Sequence, residues 1–248
     1  MSLIYRSFFS FFVCVLVVLS FAVHFVIDVT ILRFRKSRCA DNYWLGALFL
    51  EWTFRLCGLK LIVKGLEYIP KSGPVIIVCN HQSILDILIH QMTCPRQITF
   101  IFKRELFKVP LLGHAMKIQQ HIPVDRQNRK TAIETLTSLE PPLSRGLLMV
   151  FFAEGTRTSD GQLQPFKRGA FQLAVRTGAT VVPCLIEGAF QILPKHRLLA
   201  SPGEVCLQFA PPIAVVKLEE DDDEIRLAAK ALQKQCEDDV VAMAGCPT

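Results

Sequence analysis

Apolar positions along the chain fall into three regimes. From Ser7 to Ile27 they run for 21 residues without a formal charge (SFFSFFVCVLVVLSFAVHFVI). From Tyr43 to Val63 a second apolar stretch is interrupted by Glu51 and Arg55 and carries Trp44 and Trp52. Beyond Gly58 the apolar runs shorten and turn signals separate them. As helix, the first run spans about 31 Å against a hydrocarbon core of roughly 30 Å. It ends at Asp28 without the small-x-small site of a cleaved signal, so a retained membrane anchor, crossing the bilayer or lying in its plane, is expected. Arg33, Arg35, Lys36 and Arg38 follow it and only Arg6 precedes it. The positive-inside bias therefore leaves the rest of the chain on the cytoplasmic face, of a bacterial inner membrane or an endoplasmic reticulum alike. The second stretch predicts an interfacial amphipathic helix over 43–57 with its aromatic face towards lipid. The competing reading is a core helix with both tryptophans buried.

The shorter runs predict strands at Lys60–Lys64, Val75–Cys79, Ile98–Phe102, Leu147–Phe152, Thr180–Ile186 and Val205–Phe209. Between them, helical spacing predicts helices at Ser83–Met92, Val109–Ile118, Asn128–Leu139, Arg168–Thr177 and Asp222–Ala242. Such alternation reads as an α/β domain, a mixed sheet flanked by helices and preceded by the anchor. The division expected is 1–58 for membrane-anchoring helices and 59–248 for the α/β domain. EEDDDE at 219–224 reads as the solvated first turn of the last helix, where acids suit the helix dipole.

The net charge of +6 is unevenly spread. Residues 1–40 carry +4 and residues 217–248 carry −5, which leaves +7 in the middle. A basic centre calls for an anionic partner. Nucleic acid is disfavoured, since the bases are dispersed and no zinc-finger spacing or aromatic RNA-binding signature is present; phosphates on a lipid or co-substrate suit the pattern. Nine cysteines lie scattered from Cys14 to Cys246 without a CxxC pair, which argues for reduced thiols over a disulfide framework or a zinc site.

The stretch VCNHQSILDI, 78–87, sets His81 just past an apolar run and Asp86 five positions on. Inside one regular helix the two would point about 140° apart. They can meet if the helix starts at Ser83, with His81 in the preceding turn, and the S-x-x-D pattern from Ser83 to Asp86 resembles a capping box. A histidine steered by a carboxylate is a general base; a plain capped turn gives the same pattern. A metal site of His81, Asp86 and His90 fits poorly, because the offsets do not match a helical ligand pair. Ser83 lacks a G-x-S-x-G elbow, and Cys79 closes an apolar strand as small buried thiols do.

Downstream lie IPVDRQ at 122–127 and FFAEGTRTSDGQLQPFKRGA at 151–170. With NHQSILD these resemble the motif set of the glycerolipid acyltransferases, most closely the 1-acylglycerol-3-phosphate (lysophosphatidate) acyltransferases, over about residues 60–190. The H-x4-D motif falls on His81 and Asp86, the second motif on Arg126, E-G-T-R on Glu154, Gly155, Thr156 and Arg157, and the Val-Pro of the fourth on Val182 and Pro183. KREL, from Lys103 and Arg104 to Leu106, is similar to a further family feature. Ala153 stands where the family usually has proline, and Pro123 where the second motif usually has an apolar residue.

The resemblance implies that residues 59–248 form an acyltransferase domain. His81 would take the proton of a lysophosphatidate hydroxyl as it attacks an acyl thioester, with Asp86 stabilising the imidazolium and no covalent intermediate. Arg126, Arg157, Glu154, Gly155, Thr156, Lys103 and Arg104 are the implied substrate-binding residues, and Lys103 or a backbone N–H the oxyanion donor. Lys167 and Arg168 either add to an anion site or remain solvated, and Glu154 and Arg157, three apart, have the option of pairing with each other. No cofactor or metal is expected, only acyl-CoA or acyl carrier protein as co-substrate; the other partners are lysophosphatidate and a phospholipid membrane. The alternatives are another lysophospholipid acceptor, a non-catalytic anionic-lipid-binding protein, and a lipid hydrolase using Ser83 or Cys79.

Overall fold

In the computed structural model, residues 12, 15, 43–110, 112–124, 138–144, 146–197, 200–218 and 221–244 are described. The expected anchor at 7–27, apart from positions 12 and 15, and the expected helix over Asn128–Leu139, apart from its end, lie outside the described residues, as does Arg126. Among the described residues no helix is long and apolar enough to cross a membrane.

In chain order the helices are α1 (Tyr43–Leu56), α2 (Leu85–Thr93), α3 (Leu112–Ile118), α4 (Glu140–Ser144), α5 (Gly169–Thr177), α6 (Ala189–Ile192) and α7 (Asp222–Met243). The strands are β1 (Leu59–Lys64), β2 (Val75–Cys79), β3 (Ile98–Lys103), β4 (Ile122–Val124), β5 (Leu148–Phe152), β6 (Thr180–Glu187) and β7 (Gly203–Phe209). They form one sheet in the order β1-β7-β6-β2-β5-β3-β4. All neighbouring pairs are parallel except β6 with β7, so the sheet is mixed.

β2 reads VIIVC without a polar position because it lies between two parallel neighbours and under helices on both faces. Val75, Ile77 and Cys79 face the layer of α1 and α2 with Leu50, Phe54, Leu88 and Ile89. Ile76 and Val78 face the layer of α5 and α7 with Phe171, Leu173 and Ile225. α7 buries Ile225, Ala229, Leu232, Cys236 and Val240, a three-to-four-residue stripe. Its N-cap is Asp221, whose carboxylate accepts from the backbone N–H of Asp223 (2.8 Å) and Glu224 (3.3 Å). The acidic run therefore starts the helix as its composition suggested.

α1 has two apolar faces. Leu50 and Phe54 enter the core, whereas Leu48, Trp52 and Leu56, spaced by four, form an exposed stripe. Arg55 pairs with Glu51 (2.6 Å) and lies over the Trp52 ring. The reading with a buried Trp52 is thus corrected, since this ring is 57% exposed. One other expectation shifts, and two elements were not expected. The helix foreseen from Val109 starts at Leu112, after a 3-10 turn at Arg104–Lys108. β4 and α6 carry no periodicity of their own, being three and four residues long. As an edge strand, β4 tolerates Pro123, which donates nothing to the ladder.

Core truncation and surface truncation should separate cleanly. Ile76→Ala, at a fully buried site on the α5 and α7 face, is expected to cost about 2–5 kcal/mol in denaturant unfolding. Val216→Ala, at 79% exposure, should stay within about 0.5 kcal/mol.

Candidate active site

β2, β5 and β3 run parallel, so their carboxyl ends share one edge of the sheet, the edge where open α/β sheets bind ligands. Past β2 come Asn80, His81, Gln82 and Ser83; past β5 come Ala153 to Arg157; Lys103 ends β3. The topology thus gathers two motifs that are about seventy residues apart in the chain.

His81 Nδ1 lies 2.7 Å from Asp86 Oδ2. A carboxylate only accepts, so Nδ1–H donates and Nε2 is left as the basic nitrogen. The same Oδ2 accepts from the backbone N–H of Gln82 (2.7 Å) and Ser83 (2.9 Å). Asp86 is wholly buried, and the His81 side chain is 13% exposed. The Phe152 ring stacks on the imidazole at 4.0 Å and 11°.

The helix start expected at Ser83 is corrected: α2 begins at Leu85, because the carboxylate of Asp86 turns back to hold 81–83 in an extra-helical turn. Only half of the capping box forms, since Asp86 reaches the Ser83 N–H while Ser83 Oγ donates to Leu193 O (2.6 Å) and accepts from Leu85 N–H (3.3 Å). Ser83 is fully buried in this role, and Cys79, also buried, has its thiol held well above its ordinary range by desolvation. Neither is an exposed nucleophile, which removes the support for a hydrolase built on them.

The loop after β5 is sewn to this turn. Ala153 N–H donates to Cys79 O (3.0 Å) and Thr158 N–H to His81 O (2.8 Å). Alanine keeps a donor here that the proline usual in the family lacks. Gly155, at φ 78°, lets the loop pass beneath Lys167, whose Nζ would lie 2.5 Å from any Cβ added there. Glu154 and Arg157 do not pair with each other. Glu154 Oε1 accepts from Gln164 N–H (3.2 Å), Oε2 is buried without a partner, and burial raises the carboxyl to about 7. Arg157 is half-buried, Lys103 is half-exposed and 3.7 Å from Glu105, and Arg104 is exposed.

Two supporting residues were not foreseen. Asn80 makes a two-way bridge to Ile186, with Nδ2 donating to its carbonyl (2.9 Å) and Oδ1 accepting from its N–H (2.8 Å). Gln82 Oε1 accepts from Phe190 N–H (3.2 Å). Both stand inside NHQSILD, the only local sign of their importance. His90 has no place beside His81: its Nδ1 donates to Asp86 O (2.7 Å) and its Nε2 faces Cys184 Sγ at 3.7 Å. Cys79, His90 and Cys184 make a buried cluster beneath the turn, and the His90 ring meets Phe152 edge-on at 5.8 Å.

Glu154 gives the stability a pH dependence of defined sign. Its folded value of about 7 exceeds the model-compound value of 4.5, so its contribution is full below about 4.5 and lost as pH rises through about 7. Glu154→Gln should therefore gain on the wild type, by on the order of 2 kcal/mol, across that window; unfolding free energies at pH 4.5 and pH 7.5 measure it.

A family profile described as Acyltransferase matches residues 60–187, just over half of the chain. The chain is 38% identical over 136 residues to the chloroplastic 1-acyl-sn-glycerol-3-phosphate acyltransferase of Arabidopsis thaliana, covering 54% of this chain and 38% of that protein. It is 32% identical over 190 residues to 1-acyl-sn-glycerol-3-phosphate acyltransferase alpha of Mus musculus, covering 75% of this chain and 66% of that one. The matched stretch is thus under two thirds of either relative. The crystal structure of the 1-acyl-sn-glycerophosphate (LPA) acyltransferase PlsC from Thermotoga maritima superposes with a TM-score of 0.73 over 99% of this chain and 100% of that one, at 23% identity, an agreement of fold. With the family profile spanning both the His81 turn and the Glu154 loop, the chain belongs to the acyltransferase family.

Proposed function

We propose that the protein transfers an acyl group from acyl-CoA or acyl carrier protein to the free hydroxyl of 1-acylglycerol 3-phosphate, giving phosphatidate. The observation that carries this reading is the 2.7 Å His81–Asp86 pair at the carboxyl edge of the sheet. Nε2 of His81 takes the hydroxyl proton while the oxygen attacks the thioester carbonyl. A C–O bond forms, the C–S bond breaks, and the proton leaves with the thiolate as a free thiol. With a thiol pKa of about 8.5, that leaving group needs little acid assistance. Asp86 stabilises the imidazolium and fixes its tautomer, and Phe152 prevents the ring from turning. No acyl-enzyme is required.

Arg157 and Arg126 bind the acceptor phosphate through paired guanidinium hydrogen bonds, with Lys103 and Arg104 nearby at the end of β3. Glu154, Gly155 and Thr156 shape the loop on which Arg157 stands. Residues 1–58 serve membrane attachment, with 7–27 as anchor and the Leu48, Trp52 and Leu56 stripe of α1 turned to the cytoplasmic leaflet; 59–248 serve the chemistry. The exposed stripe supports this division, since such apolar surface marks contact with lipid or protein.

Purified in detergent with labelled acyl-CoA, the wild type should form phosphatidate and prefer lysophosphatidate over choline and ethanolamine lysolipids. His81→Ala should lower kcat by about 10²–10⁴-fold with unchanged melting temperature, and Asp86→Asn should lower kcat to a similar extent while also lowering the melting temperature, because the turn loses its charged acceptor. Wild-type turnover in His81→Ala would remove the general-base assignment.

A further inference from the structure

The segment after β6 holds positive charge beside the site that the scheme above leaves idle. Gly188, at φ 90°, turns the chain into α6; an added Cβ would sit 2.1 Å from Glu204 O, so only glycine fits. The segment is then tied to the His81 turn through Phe190 N–H to Gln82 Oε1 and Ser83 Oγ to Leu193 O. Lys195, two residues on, is held relative to His81 rather than free on a surface loop. Its Nζ donates to Thr156 Oγ1 at 3.2 Å.

That contact is chemically informative. Lys195 is half-buried, yet among the described residues no carboxylate lies within ion-pair distance of it, and the same is true of Arg157. Elsewhere Arg55, Lys60, Arg176 and Arg226 each pair with an acid. Because Thr156 Oγ1 accepts from an ammonium, its own O–H is free to donate outward. The cleft next to Lys195 is lined by Asp160, Phe190, Pro194, His196 and Arg197. The Asp160 carboxylate is engaged in its own turn by Thr158 Oγ1 (2.8 Å) and Gln162 N–H (3.0 Å). Loop residues 155–157 thus have Lys195 against Thr156 and Lys167 against Gly155.

We propose that Lys195, with the Thr156 hydroxyl, adds an ammonium to the guanidinium subsite for the phosphomonoester of the acceptor. The inference rests on the acyl-transfer reading above. A phosphomonoester carries close to two charges near neutral pH, its second pKa being about 6. Among the described residues the scheme above gives this group one guanidinium, that of Arg157; an ammonium and a hydroxyl donor beside it match more of its charge and its oxygens. A phosphodiester head group carries one charge fewer, so Lys195 also serves to favour lysophosphatidate over lysolipids with larger heads.

The test uses the full chain in mixed micelles with Lys195→Ala and Lys195→Arg. Lys195→Ala should raise KM for lysophosphatidate about tenfold, leave KM for acyl-CoA as it was, and narrow the preference over lysophosphatidylcholine. Lys195→Arg should restore most of the loss. An unchanged acceptor KM in Lys195→Ala overturns the proposal, and so does a rise confined to the acyl-CoA KM, which would give the ammonium to the donor's phosphates. Calorimetric binding of glycerol 3-phosphate to wild type and Lys195→Ala separates this from the reaction itself. Binding lost in the variant, with no transfer by the wild type, keeps the subsite and removes the acyl-transfer reading; equal binding by both proteins removes the subsite.

Discussion

One carboxylate oxygen organises the site. Asp86 Oδ2 receives the imidazole N–H of His81 and two backbone N–H groups, three donors within 2.9 Å on a fully buried residue. The two backbone donors hold the turn between β2 and α2, and the third sets the histidine tautomer. Helix start and the proposed proton acceptor are therefore the same structure, and the late onset of α2 follows from the three hydrogen bonds to Asp86. In a low-dielectric interior such hydrogen bonds to a charged group are strong and costly to break, so the turn has little freedom.

Around that oxygen the sheet supplies position and the loops supply charge. β2 is central and buried on both faces, so the base of the His81 turn inherits the rigidity of the core. The loop after β5 closes on it through Ala153, Thr158 and the Phe152 ring, and the segment after β6 through Gln82 and Ser83. Behind the β5 loop, α7 reaches in with Gln233 Nε2 donating to Phe166 O (2.8 Å) and Glu237 accepting from Phe166 N–H (2.9 Å). Arg157, Lys167 and Lys195 thus stand on backbone that is held at several points, although all three side chains extend from loops.

The apolar stripe on α1 faces away from the core it helps to close. Such an arrangement lets one helix hold a domain and present tryptophan and leucine outward, which suits the lipid acceptor and product proposed above. The Glu51–Arg55 pair between the two faces keeps the charged groups satisfied at the boundary.

What could be read from the chain alone was what depends on neighbours in sequence. Val75–Cys79 appears with its expected bounds, and the helices at 168–177 and 222–242 appear within one residue, since continuous apolar runs, a terminal Gly178 and an acidic N-cap are local signals. The His81–Asp86 contact was also legible, because only five residues separate the partners and helix geometry limits where they can meet. Lys103, Arg104 and the 154–157 loop were assigned by resemblance, and Arg126 and the anchor fall outside the described residues. By contrast, the stack of Phe152 on His81, the bridge from Asn80 to Ile186, the burial of Ser83 and the placement of Lys195 on Thr156 join residues from 39 to 110 positions apart. No periodicity encodes such pairs. They arise only when the parallel order β6-β2-β5 brings three strand ends to one edge, and that order is decided by how the apolar faces pack into a common core.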